Sequence, residues 1–441
     1  MTTTLEHADW PHPSLVTSWN WSRDELQAWQ LEQFNRQLSI ILPHNRFYHA
    51  KLGFHCGPLR HLDQLSELPL TSKQELVDSA LADPSGVSAH HTFPCSDYSR
   101  VHRTSGTSGR PLMLLDTLHD WRWWSSTWQH VLQAAEVTAL DRVFLAFSFG
   151  PFIGFWSAHQ ACVDRGAMVV PGGGLSSLAR LEFMRQTRPT VVCCTPSYAL
   201  HLAEVARHEG SSLAEIGVRR LIVAGEAGGS VIGVRQALQR DWQAEVIDHG
   251  GATKVGPWGF GWPTRPGLHV IESCFIAELL PLPAAEADSN LCELVLTSLG
   301  RYGAPVIRYR TGDVVQRFDR PSHDSARVTT GDEPHCGFRW FPDGIVGRAD
   351  DMVTIRGVNI FPSSIDTIVR KLPGIVEYRV TIERVGALDA LRVEIEGDQL
   401  IRHALEIQLS SLYGLRIPVS CVSTGSLPRS ELKSRRWIDI R

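Results

Sequence analysis

The chain has 441 residues, with 43 Lys and Arg against 47 Asp and Glu and a formal net charge of −4. A balance this close to neutral offers no broad field to draw nucleic acid or an anionic membrane surface, and the length suits one large domain plus a smaller one. Nine cysteines without C-x-x-C spacing, in a chain big enough to bury its own core, point to free thiols in a reducing cytoplasmic setting rather than a disulfide framework.

Residues 1–20 show neither the basic start nor the apolar core of a secretion signal. After Ser22 and Asp24, the positions Leu26, Trp29, Phe34, Leu38 and Ile41 recur at near-helical spacing and predict a helix within 22–50. Thr71 or Ser72, followed by Gln74 and Glu75, has the pattern of a capping box and predicts a second helix start. The stretch Arg103, Thr104, Ser105, Gly106, Thr107, Ser108, Gly109, Arg110 and Pro111 concentrates hydroxyls, glycines and guanidinium groups. Backbone N–H groups, hydroxyls and arginines in such a loop can converge on phosphate oxygens. No Lys-Ser or Lys-Thr closes it in the manner of a P-loop, which sets that reading aside.

Trp121, Trp124, Trp128 and Leu132 share one helical face and read as core. From Val143 to Trp156 runs the most apolar stretch, too short for a membrane span and broken by Ser148, Gly150 and Pro151. Its beginning reads as a buried strand, and Phe147, Phe149 and Phe152 fall where an open α/β sheet places ligands. Strand-like 166–171, 190–194 and 220–224 alternate with helix-like 178–186 and 197–208, a βαβ rhythm that predicts a parallel sheet covered on both faces. The adjacent Cys193 and Cys194 then point to opposite faces and read as buried thiols. Residues 318–343 are polar and predict a surface loop or short hairpin. Beyond 347, strands at 353–355, 378–382 and 391–395 and helices near 363–371 and 400–413 make a compact α+β unit, ending in the basic run 427–436.

Taken in order, the loop 103–111, the hexapeptide Arg308-Tyr309-Arg310-Thr311-Gly312-Asp313, and Gly347-Arg348-Ala349-Asp350-Asp351-Met352 with Arg356-Gly357-Val358-Asn359-Ile360-Phe361-Pro362 resemble the core motifs of the adenylate-forming superfamily. The last pair is similar to the form found in its phenylacetate–CoA ligase branch. The resemblance implies an α/β fold: a large N-terminal domain over 1–346 with mixed and parallel sheets, and a small mobile α+β lid over 347–441 pivoting near Asp350. It implies ATP and Mg2+, with coenzyme A as co-substrate, a small-molecule carboxylic acid and a thiol acceptor, an apolar or aromatic acyl pocket around Phe147, Phe149, Phe152 and Ala252, and association as a homodimer. No nucleic acid or membrane partner is expected.

By the same resemblance, Thr104, Ser105, Gly106, Thr107, Ser108, Gly109 and Arg110 serve the phosphates, with Arg110 counted as catalytic. Gly225 and Glu226 lie under the adenine, Asp248, His249, Gly250 and Thr253 line the nucleotide, and Asp313 and Arg348 take the ribose. Lys433 is the lysine that enters during adenylation, where an ammonium stabilises charge developing in the transition state. Two positions depart from the pattern: Gly250 stands where relatives carry an aromatic or histidine, and Lys254 where they carry a metal-supporting glutamate. Either Lys254 itself neutralises phosphate charge and belongs to the catalytic set, or the chain has become a nucleotide- or acyl-binding protein with an impaired reaction. A further alternative keeps adenylation and changes the acceptor to an amine or a carrier-protein thiol. His269, His335 and Cys336 are candidate zinc ligands, too scattered for a closed four-ligand site, and zinc is not expected.

Overall fold

Ser22 opens the first long helix, Arg23–Ile41, through a reciprocal capping box with Glu25, the pair of bonds that satisfies otherwise orphaned N–H groups. The computed structural model describes residues 18–53, 57–83, 88–104, 111–147, 149–282, 290–318, 336–356, 358–385, 388–428 and 436–441. The expected single helix within 22–50 is two: Asn45 accepts from the Tyr48 N–H and starts a new helix, Arg46–Leu52. An Asn that caps through its own side chain outcompetes continuation of the helix. Ser72 and Glu75 form the second capping box, at the start of Lys73–Leu81.

The central sheet has eight strands. Met168–Pro171, Arg142–Leu145, Val191–Cys194, Arg220–Ala224 and Glu245–Ala252 run parallel. Gly256–Phe260, Leu268–Val270 and Trp340–Phe341 continue it antiparallel. The βαβ rhythm therefore accounts for the parallel half, whose strands are buried on both faces. Cys193 and Cys194 are both buried, and burial drives both thiols up, Cys194 to about 12. Trp121, Trp124, Trp128 and Leu132 are buried along the helix Leu118–Ala134, as core.

A second sheet, antiparallel throughout, orders Phe275–Pro281, Leu291–Ser298, Tyr309–Gln316 and Gly347–Arg348. The expectation of a surface loop or short hairpin over 318–343 needs correction at its end: Phe338 and Phe341 are buried, and Trp340–Phe341 pairs with Leu268–Val270 on the edge of the central sheet rather than within the segment. The polar residues that dominate the composition of this stretch hid two core positions. One hydrophobic core runs from Trp19 to Phe341 and a separate one from Ile355 to Val419. The latter fills the space between the helices Pro362–Lys371 and Gln399–Tyr413 and a four-stranded sheet ordered Val419–Cys421, Leu388–Ile395, Tyr378–Val385, Trp437–Asp439. No helix among the described residues is long and apolar enough to cross a membrane.

Candidate active site

Parallel strands end at one edge of their sheet, and in open α/β sheets that edge is where ligands lie. Here it gathers the Phe-rich turn after Arg142–Leu145, Gly225 and Glu226 after Arg220–Ala224, and Ala252, Thr253 and Lys254 at the end of Glu245–Ala252. Phe147 stacks on Phe155 with centroids 4.2 Å apart, Phe149 meets Trp156 edge-on at 4.9 Å, and Phe152 approaches Phe155 at 6.5 Å. Arg103 N–H donates to the Pro151 carbonyl at 2.7 Å, which ties the base of the 103–111 loop to this aromatic turn. Thr104 exchanges two hydrogen bonds with Leu112, of 3.0 Å from its own N–H and 2.9 Å to its Oγ1, closing the loop's neck between the strands Tyr98–Arg103 and Met113–Thr117. Ser105, Gly106, Thr107, Ser108, Gly109 and Arg110 lie outside the described residues, as do His335 and Lys433.

Gly225 has φ +91°, a conformation open to glycine. The Glu226 carboxylate accepts from the Ser197 N–H at 2.7 Å, in the first turn of the helix Pro196–His208 that Thr195 caps. Asp248 and His249 are built into the core. Burial pushes the Asp248 carboxyl up to about 6 despite the Ser230 hydroxyl, which donates to it at 2.5 Å. Burial likewise pushes His249 down to about 4, with its Nδ1 2.8 Å from the Gly259 carbonyl and its ring 4.3 Å from Trp128. At Gly250 an added Cβ would lie 2.8 Å from the Trp258 indole, so Trp258 occupies the space a larger side chain needs.

The charged heart of the site lies where the two strands Tyr309–Gln316 and Gly347–Arg348 pair, Asp313 opposite Arg348. Arg348 donates to Asp313 at 3.0 Å and to Asp350 at 2.9 Å. Its side chain is 42% exposed, Asp350's 59% and Asp313's 14%, so water reaches the cluster. Lys254 joins it from the central sheet: its ammonium lies 6.0 Å from the Tyr309 ring centroid. Burial first, then the charges of Lys73 and Arg348, push it down to about 8, while Asp313 and Asp350 pull the other way. The Thr253–Lys254 turn is fixed by Arg301, which donates to both of their carbonyls at 3.0 Å. Arg301 is itself paired with Asp116 at 2.7 Å, both side chains fully buried. Sequence reasoning missed Lys73 and Arg301. Lys73 sits at the start of its helix, directly after the Ser72 cap, and a cation there carries no signal of its own.

The donor set does not suit a protein-held divalent cation. Asp313 and Asp350 are engaged by Arg348, on which Asp351 also acts, two ammonium groups stand close, and no group of three His, Cys, Asp or Glu among the described residues is placed to hold a metal. His269 has its Nδ1 3.3 Å from the Phe338 carbonyl and its Nε2 3.3 Å from Arg265.

Residues 357–441 match the family described as AMP-binding enzyme C-terminal domain. Phenylacetate-coenzyme A ligase of Escherichia coli (strain K12) is 29% identical over 95% of this chain and 96% of its own length. The solved structure of 2-hydroxyisobutyryl-CoA ligase in the postadenylation state, in complex with R3-HIB-AMP, superposes with a TM-score of 0.86 at 28% identity, covering 98% of this chain and 94% of that one. The chain belongs to the adenylate-forming superfamily, in its phenylacetate–CoA ligase-like branch. It is a ligase enzyme, with the two-part α/β build of that branch. The same 2-hydroxyisobutyryl-CoA ligase in the thioesterification state, with 2-HIB-AMP and CoA, superposes less well at equal coverage, with a TM-score of 0.69. The arrangement of this ligase is thus nearer the first state than the second.

Proposed function

We propose that this ligase uses ATP to adenylate an apolar or aromatic carboxylic acid and then transfers the acyl group to the thiol of coenzyme A. A carboxylate oxygen attacks the α-phosphorus and the bond to the bridging oxygen breaks, releasing pyrophosphate. The thiol sulfur then attacks the acyl carbonyl carbon, the thiol proton is lost, and the carbon–oxygen bond to AMP breaks. No protein nucleophile is needed, because the acyl adenylate is already activated; the protein supplies position and charge.

The observation that carries this reading is the pairing of Asp313 with Arg348 at the junction between the two cores. A carboxylate held by a half-exposed guanidinium is preset to exchange that partner for ribose hydroxyls. Asp350, two residues on and bonded to the same guanidinium, is the proposed pivot of residues 347–441, and the two states in which the similar 2-hydroxyisobutyryl-CoA ligase is solved, postadenylation and thioesterification, support a lid with more than one station. Phe147, Phe149 and Phe152 at the sheet edge support an apolar acyl group.

The test is pyrophosphate release from ATP across a panel of aryl and aliphatic acids, with thioester formation from coenzyme A followed in parallel. Release that depends on the acid and disappears in Lys433→Ala is expected. Absence of release with every acid would overturn the reading.

A further inference from the structure

The backbone of Lys254 is held at the site from the core side. Arg301 clamps the two carbonyls of the Thr253–Lys254 turn, and its pairing with Asp116 locks the clamp inside the core. The turn is therefore fixed, and only the lysine side chain beyond it is free to adjust. Its ammonium faces the Tyr309 ring and meets no hydrogen-bond acceptor among the described residues.

The surroundings give the ammonium little compensation. Lys73, Lys254 and Arg348 bring three positive charges to a space that holds the carboxylates of Asp313 and Asp350, with Asp351 acting on Arg348 from the far side of Asp350 in sequence; Asp313 and Asp350 are already engaged by Arg348. A partly buried ammonium with this company costs the folded chain free energy. An anion arriving beside Asp313 would remove that cost, and a compact ammonium is a good point-charge partner for phosphate.

Resting on the adenylation reading above, we propose that Lys254 contacts the phosphates of the bound nucleotide and supplies there the positive charge that a protein-held divalent cation would otherwise provide. Nucleotide binding by this ligase is accordingly tolerant of chelation. The site takes a nucleoside triphosphate whose phosphates are neutralised by side chains of this chain.

The experiment is calorimetric titration of the full chain with α,β-methylene-ATP, which cannot be cleaved to release pyrophosphate, in buffer with Mg2+ and in buffer with EDTA. The wild type is expected to bind in both, with affinities within about threefold, whereas Lys254→Gln loses roughly 10- to 100-fold in EDTA, the range of one charge-assisted hydrogen bond. Lys254→Glu is expected to bind in Mg2+ and not in EDTA, since it supplies a carboxylate in place of the ammonium. Urea midpoints of both variants at or above that of the wild type separate a lost contact from a lost fold. Wild-type binding that requires Mg2+, or a Lys254→Gln that binds as tightly as wild type in EDTA, overturns the proposal alone. A wild type that binds the analogue in neither buffer overturns the adenylation reading, and this proposal with it.

Discussion

Two arginines flank the same turn and do opposite things. Arg301 and Asp116 are fully buried, and the pair holds the Thr253 and Lys254 carbonyls from the core side. Burial alone would raise the Asp116 carboxyl, but Arg301 beside it wins and holds it below the ordinary range. Arg348, by contrast, is 42% exposed and shares itself between Asp313 and Asp350. A buried ion pair is costly to break because the survivor is left unpaired, while a solvated one exchanges partners at little cost. One pair is built to stay closed; the other, on the function proposed above, opens for a ligand.

The comparison breaks most visibly through stability. Arg301→Met leaves the buried Asp116 carboxylate with only the His102 ring, 3.5 Å away, beside it, and urea unfolding is expected to show a loss of about 3 kcal/mol. Replacing both partners, Arg301→Met with Asp116→Leu, is expected to recover much of it, because no charge is then stranded. A loss below about 1 kcal/mol for the single change would place Arg301 with the solvated pairs instead.

Asp313→Ala is the mirror experiment. The unfolding free energy should change by less than about 1 kcal/mol, since Arg348 remains hydrated and keeps Asp350. Nucleotide affinity should fall roughly 100-fold, the worth of two hydrogen bonds to a carboxylate. If stability fell as far as in Arg301→Met, Asp313 would be a scaffold residue and its pairing no preset for ribose.

Gly250→Ala separates packing from ligand contact on the neighbouring strand. Its Cβ would sit 2.8 Å from the Trp258 ring, and overpacking of this kind costs about 1–3 kcal/mol. Thermal or urea unfolding should register that loss. Unchanged stability would show that Trp258 yields to a side chain at position 250.

Much of this was legible in the chain. Ser22 with Glu25 and Ser72 with Glu75 announce helix starts because the capping bonds are local, and the parallel strands announce themselves through apolar runs buried on both faces. What stayed hidden is non-local. Arg301 meets an aspartate 185 positions away, and nothing near Asp116 in sequence marks it as a partner. Arg308, within the hexapeptide that drew attention to nucleotide chemistry, instead pairs with Glu278 and donates to the Ser66 and Leu68 carbonyls, stapling an early segment to the second sheet. Gly250 reads as a lost ring until Trp258 is seen across the pair of strands, and Lys73 reads as an ordinary helix residue until its charge is found beside Lys254.

The smallest effect tests the open side of the comparison most directly. Lys254 holds its proton up to about 8 in the folded chain, against the ordinary 10.5, because burial and then Lys73 and Arg348 oppose its charge more than Asp313 and Asp350 favour it; Tyr309 contributes the ring it faces. Between those two values the unfolded chain binds more protons than the folded one, so stability rises with pH across the window, and below it the folded chain carries the penalty in full. Lys254→Met removes the group, so its urea midpoint should exceed that of the wild type near pH 7, and the gain should shrink as pH climbs past about 8 and vanish above the ordinary lysine range. The same protonation governs phosphate, so wild-type affinity for α,β-methylene-ATP in EDTA should weaken as pH passes about 8, while the Met variant stays uniformly weak. A midpoint lowered by Lys254→Met near neutrality would mean that the ammonium already has its partner within the folded chain, and the turn would then be closed on both sides rather than open on one.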